Sequence, residues 1–79
     1  MKEIFPHITV DSNTQFGKPV IMGTRVPVEL LVGHIAAGDS FEQVAAEYGV
    51  TQEDVRSALK YASKIIADET LIYGSAFSH

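Results

Sequence analysis

The sequence predicts a mainly α fold: a three-helix bundle with a helix-turn-helix arrangement, carrying a small β element at its N-terminal end. Three observations predict it. Apolar residues recur every three or four positions in three segments after Pro27, each segment has its own start and stop signals, and the residues before Pro27 are short extended runs separated by turn residues. A chain of 79 residues supports one domain, and a domain of this size buries only about 60% of the surface its unfolded chain exposes. The expected unit spans 4–68, with the β element at 4–26, helices at about 27–37, 40–48 and 51–67, and a short C-terminal tail at 69–79.

In the β element, Ile8-Thr9-Val10 alternates apolar and polar residues, while Val20-Ile21 and Val26 flank a turn at Gly23. Asp11-Ser12-Asn13-Thr14 between them is turn chemistry, because such side chains bond their own backbone. Two or three strands are expected, lying on the helices or pairing with a second copy, since two strands alone are marginal in water. The stretch from Gly17 to Val28 is the most constrained part of the chain. Its two glycines permit positive φ, and its prolines at 19 and 27 fix φ and remove backbone donors.

The first helix opens at Pro27, with Glu29 in its first turn where the helix dipole favours an anion, and closes at Gly38. Leu30, Leu31, Ile35 and Ala36 give it an apolar face, with Val28, His34 and Ala37 at the margins. Asp39 or Ser40 caps the second helix, and with Ser40 as the cap Gln43 stands at the capping-box position; the helix's face is Phe41, Val44, Ala45 and Tyr48, and Gly49 stops it. Thr51 caps the third, with Asp54 at the box position and Val55, Ala58, Leu59, Ala62, Ile65 and Ile66 on its apolar side. The interval Gly49 to Thr51 is a three-residue turn between a short helix and a longer one, the spacing of a helix-turn-helix.

Arg56, Lys60 and Lys64 recur every four residues on the third helix and form one basic stripe. Like charges at that spacing repel, and a ligand phosphate would compensate. Gln52 and Ser57, near the start of the same helix, complete a candidate DNA-binding set, because the N-terminal residues of a recognition helix reach bases and phosphates. The alternative is a solvated face on which Glu53 pairs with Arg56 and Asp68 with Lys64. The net charge of −4 opposes strong nucleic-acid binding by an isolated monomer.

Arg25 admits two readings. It clamps a phosphate or a partner's carboxylate, or its guanidinium binds turn carbonyls or Asp11 and holds the β element in place. The second is preferred, because the neighbouring glycines and prolines are already explained by folding. Lys18, in a turn, is read as solvated. Leu71, Ile72 and Tyr73 form an apolar cluster after the third helix, read as a partner contact or a strand folded back on the core.

No catalytic, metal or cofactor motif is found. The histidines at 7, 34 and 79 are scattered, and His34 is expected to pack with its ring hydrogen-bonded. No Gly-x-Ser-x-Gly elbow or phosphate loop is present, and there is no cysteine. A cytoplasmic protein away from the membrane is expected, because no signal segment or long apolar run occurs.

Over residues 4 to 66 the chain resembles the small prokaryotic domains catalogued as domain of unknown function 433, described as antitoxin-like. The resemblance lies in Ile8-Thr9-Val10-Asp11, in Gly17-Lys18-Pro19-Val20-Ile21-x-Gly23-Thr24-Arg25-Val26-Pro27-Val28, in Ala37-Gly38-Asp39-Ser40, and in Val50-Thr51-x-Glu53-Asp54-Val55 followed by Ala58-Leu59-x-Tyr61-Ala62. It implies a homeodomain-like fold with an N-terminal β element. It also implies an antitoxin that neutralises a PIN-like ribonuclease toxin encoded next door and binds its own operator DNA, both as a homodimer. The chain departs from many antitoxins in having only about a dozen residues after the third helix, where they carry a long toxin-wrapping tail. A protein-interaction module or a small dimeric domain without DNA binding is the other class of function compatible with these residues.

Overall fold

The computed structural model describes the backbone of residues 2–77 and the side chains of residues 2–68. Three helices and a small antiparallel sheet follow one another as β1 (Lys2–Phe5), β2 (Ile8–Val10), β3 (Val20–Ile21), α1 (Val28–Ala36), α2 (Phe41–Tyr48) and α3 (Gln52–Phe77). The sheet order is β1-β2-β3. Ile8 stands opposite Ile21 and Thr9 opposite Val20, while β1 pairs through Lys2 with Val10 and Phe5 with Ile8 across a register shift between Glu3 and Phe5. Nothing in the sequence pattern marks β1. Three of its four residues are exposed, and it becomes a strand by pairing with β2 rather than by an alternation of its own.

The core is a cluster of Ile8, Ile21, Val28, Leu31, Val44, Ala45, Val55 and Ala58. The middle strand lies on the helices, and Phe5 of β1 adds a tilted ring contact with Tyr61 of α3, centroids 5.6 Å apart. On α1 the buried residues are Val28 and Leu31. Leu30, expected on the apolar face, is 37% exposed. The face that α1 buries is set by where α3 and the sheet lie, which periodicity over nine residues locates only to within one position.

Local capping delimits α2 and the start of α3. Ser40 Oγ accepts the Gln43 N–H at 3.0 Å while Gln43 Oε1 accepts the Ser40 N–H at 2.8 Å. Thr51 Oγ1 accepts the Asp54 N–H and Asp54 Oδ2 accepts the Thr51 N–H, both at 3.0 Å. Between them Gly49 takes a left-handed φ of 67°, a conformation that costs an L-residue with a Cβ about 1–2 kcal/mol.

The third helix differs from the expected end near Asp68. Its backbone stays helical to Phe77, so 69–77 belong to α3 rather than to a separate tail. No proline interrupts them, a single glycine costs only about 1 kcal/mol in a helix, and an existing helix extends by one hydrogen bond per residue fixed. At about 1.5 Å per residue, α3 is about 39 Å long against about 14 Å for α1. Ile65 and Ile66, expected in the apolar face, are accordingly 39% and 63% exposed.

The loop before β3 is conformationally costly. Gln15 and Phe16 have φ of 51° and 57°, followed by Gly17 at 79°. The Phe16 ring is 98% exposed. Replacing Phe16 by Asn, which tolerates the left-handed region, removes strain without removing packing. Phe16→Asn should therefore raise unfolding stability by about 0.5–1 kcal/mol, read as an increase in the urea midpoint at unchanged m-value.

Candidate nucleic-acid and partner interface

The first half of α3 carries the basic stripe, and its side chains do not share one environment. Gln52, Arg56, Lys60 and Lys64 are exposed. Ser57 is not: at 8% exposure it faces the interior beside Ala58, and the geometry removes it from the set able to reach a base or phosphate. The guanidinium of Arg56 lies 5.4 Å from the centroid of the Phe41 ring, at the start of α2, and pairs with Glu53 on its own helix. Lys64 pairs with Asp68 at 2.9 Å. These are the two ion pairs that a solvated face requires. Lys60 has none among the described residues, so the stripe is one uncompensated cation between two compensated ones. Exposed pairs of this kind are worth about 0–1 kcal/mol each, little enough for a phosphate to displace the carboxylate.

The start of α3 is tied to the sheet. His7, in the turn between β1 and β2 with φ of 70°, places Nδ1 at 2.9 Å from Asp54 Oδ1. The His7 carbonyl accepts the Met22 N–H at 2.8 Å, so the turn after β3 is joined to the same corner. Burial pushes the Asp54 carboxyl up, but the Thr51 N–H, the His7 ring, the Thr51 hydroxyl and the His7 charge together outweigh it, and its pKa lies below the ordinary value.

At the other end of α1, His34 Nδ1 bonds Asp39 Oδ2 at 2.7 Å, and Nε2 bonds the Tyr48 hydroxyl at 2.6 Å. With Nδ1–H donating to the carboxylate, Nε2 accepts a hydrogen bond from the Tyr48 O–H. Partial burial, with the charges of Glu47 and Asp39, pushes the Tyr48 phenol up and holds it protonated, opposite to what a nucleophile needs. This chain of bonds joins α1, the α1–α2 turn and α2, as expected for a packing histidine.

Arg25 behaves differently from the preferred expectation. Its turn is held by Thr24, whose Oγ1 donates to the Ile21 carbonyl at 2.7 Å and accepts the Val26 N–H at 3.0 Å. Asp11 Oδ1 accepts the Asn13 N–H instead of an arginine. The Arg25 guanidinium makes no ion pair among the described residues, and only its backbone carbonyl is engaged, by Gln15 Nε2 at 3.3 Å. Threonine does the bracing because its short hydroxyl reaches both turn ends. Lys18, expected to be solvated, pairs with Glu29 of α1 at 2.7 Å. Behind that pair, Pro19, Val28, Val32, Gly33, Tyr61, Ala62 and Ile65 line an open apolar groove of about 470 Å³ between α1 and α3. The side chains of Leu71, Ile72 and Tyr73 lie outside the described residues.

Sequence reasoning missed this groove and the bare Phe16. A groove has no linear signal, because its walls are 28–33 and 61–66. Phe16 does have one: a lone aromatic between the Asp11–Thr14 turn run and Gly17 has no alternating neighbour to share a buried face. Among the described residues no group of three or more His, Asp or Glu is placed to hold a metal, and no helix is long and apolar enough to cross a membrane.

The family described as "Protein of unknown function (DUF433)" matches residues 8–62, and the chain belongs to it. It is 38% identical over 53 residues, 67% of its length, to the Mycobacterium tuberculosis (strain ATCC 25618 / H37Rv) protein named "Putative antitoxin VapB45", and 28% identical over 60 residues, 76% of its length, to the "Uncharacterized protein Rv2308" of the same strain. The crystal structure of Rv2018 from Mycobacterium tuberculosis superposes with a TM-score of 0.62 at 38% identity, over 66% of this chain and 24% of that one. The chain spans 22% and 25% of the length of the two curated relatives.

The Asp54 corner makes a pH prediction. A carboxylate whose folded pKa is depressed contributes stability that is present above its unfolded pKa and is lost as pH falls through the lower folded value. Asp54→Asn should lower Tm near neutral pH, and the gap to the wild type should close in acid, below the ordinary carboxylate range, in thermal unfolding followed from about pH 7 down to about pH 2.

Proposed function

We propose that this chain is the antitoxin-like member of a toxin–antitoxin pair, which neutralises a PIN-like ribonuclease and binds operator DNA as a dimer. The observation that carries the reading is the 38% identity over 53 residues to a relative whose printed name is that of an antitoxin. In the DNA-binding part of the reading, α2 and α3 act as a helix-turn-helix of homeodomain-like type. Gln52, Arg56, Lys60 and Lys64 of α3 face the DNA. Packing of Arg56 against Phe41 supports this, because a guanidinium already ordered on α2 loses less freedom on meeting a phosphate. Three cations per chain release few counterions, so two chains are needed for useful affinity. The open groove between α1 and α3 is an apolar surface available to a second copy in this reading.

A second reading, a module that binds the nuclease without touching DNA, is favoured by the carboxylates on Arg56 and Lys64 and by the net charge of −4. A gel shift on the DNA upstream of its own gene, run at two salt concentrations, separates the two. Arg56→Ala/Lys60→Ala should abolish a detectable shift and reduce the slope of log affinity against log salt by about one per cation removed. An unchanged shift in that variant sinks the α3 assignment. Co-purification with the nuclease and no shift by the complex selects the second reading.

A further inference from the structure

His7 and His34 lie among the described residues, and the fold uses them differently. His34 has both ring nitrogens engaged inside the chain, by Asp39 and Tyr48. His7 has one. Its Nδ1 is bound to Asp54 Oδ1 at 2.9 Å, its Nε2 has no partner among the described residues, and 49% of the side chain is open to solvent. The turn that carries it does not need a ring. At a φ of 70° a glycine or an asparagine serves as well. The turn's backbone is held by the His7 N–H on Glu3 Oε2 at 3.3 Å and the Met22 N–H on the His7 carbonyl at 2.8 Å, neither of which involves the imidazole.

Asp54 decides which proton the ring carries. Its carboxyl is held below the ordinary range, so near neutral pH it is ionised and only accepts hydrogen bonds. Nδ1 therefore carries the hydrogen of the His7–Asp54 bond, and the neutral ring has at Nε2 a lone pair and nothing to donate. A proton taken from water makes Nε2 a donor and gives the ring a positive charge. The charged groups bonded to His7 are Glu3 of β1 and Asp54 of α3, both acidic, while the turn after β3 meets it through the neutral Met22 N–H. Protonation is thus the change that makes this corner attractive to an anion.

The corner lies at the end of α3 that a recognition helix turns toward DNA. Gln52, the first residue of α3, is exposed two positions before Asp54. The helix terminus is not itself an anion site, because Asp54 already holds the Thr51 N–H and Glu53 adds a second carboxylate, paired with Arg56. What the terminus lacks for a phosphate is a cationic donor, and His7 is the side chain placed to supply one.

We propose that His7 is a further contact of the α3 surface, donating from Nε2 to a backbone phosphate when its ring is protonated, so that operator binding strengthens as pH falls. The inference rests on the DNA-binding part of the proposed function and adds to it a residue from the sheet and a dependence on pH. The sign follows from linkage: the bound state holds more protons than the free state, so a fall in pH favours binding.

The test is fluorescence anisotropy with a labelled duplex of the DNA upstream of the chain's own gene, from about pH 8 to about pH 5.5, the interval in which histidines ordinarily change charge. Wild-type affinity should rise about tenfold or more across it. The slope of log affinity against log salt should steepen by about one per chain, as for one added phosphate contact. His7→Asn tolerates the turn and retains a donor for Asp54 but cannot charge, so its affinity should stay near the wild-type value at the alkaline end throughout. In the wild type, DNA should move the midpoint of the His7 ring titration upward, read by proton NMR, which tests the contact without any substitution. Wild-type binding that is flat with pH overturns the proposal and leaves the DNA reading standing. A rise that persists in His7→Asn, or a His7 midpoint that DNA does not move, overturns it as well. If the wild type binds the duplex at no pH in the interval, the DNA reading falls and this inference falls with it.

Discussion

Ile8, Ile21, Leu31, Val44 and Val55 come one each from β2, β3, α1, α2 and α3, and none is more than 1% exposed. Everything else in the fold depends on this meeting. The chain has no cysteine, and no metal cage is found among the described residues, so a thin apolar core is what opposes conformational entropy. Each of these residues removes its whole side chain from water, worth about 1.5–3 kcal/mol apiece. A sheet of strands two to four residues long survives because its middle strand contributes to that cluster.

Polar bonds then fix how the pieces are oriented around the core. Asp54 caps α3 and holds the His7 turn, and the Met22 N–H on the His7 carbonyl adds the turn after β3. His34, Asp39 and Tyr48 do the same between α1 and α2. The two networks sit at the ends of the helices, leaving the middle of α3 free to present cations and the loops of the sheet free to present Phe16 and Arg25. Braced loops on a small rigid body are where binding residues are expected to be carried.

Local signals in the sequence were strong where the determinants are local. The Ser40–Gln43 and Thr51–Asp54 boxes, the stop at Gly49 and the strands at Ile8 and Val20 depend on residues within a few positions of one another, and the structure contains each. Membership of the family was legible for the same reason, since the Gly17–Val28 pattern is contiguous. What failed was non-local. β1 is a strand only because β2 pairs with it, and Leu30 lost its place because the position of α3 decides which side of α1 is inside. The stripe on α3 was legible as spacing, but not the inward turn of Ser57 or the stacking of Arg56 on Phe41.

By itself, then, the sequence determined the kinds of element, their caps and turns, and the family, because these follow from backbone preferences and neighbouring side chains. Only the tertiary structure decided which cations keep a free charge and which apolar groups stay bare. Glu29 reaches Lys18 across 11 positions in the chain, Gln15 reaches Arg25 across ten, and among the described residues none covers the Phe16 ring. Whether a charge is neutralised or a ring is covered depends on what lies beside it in space.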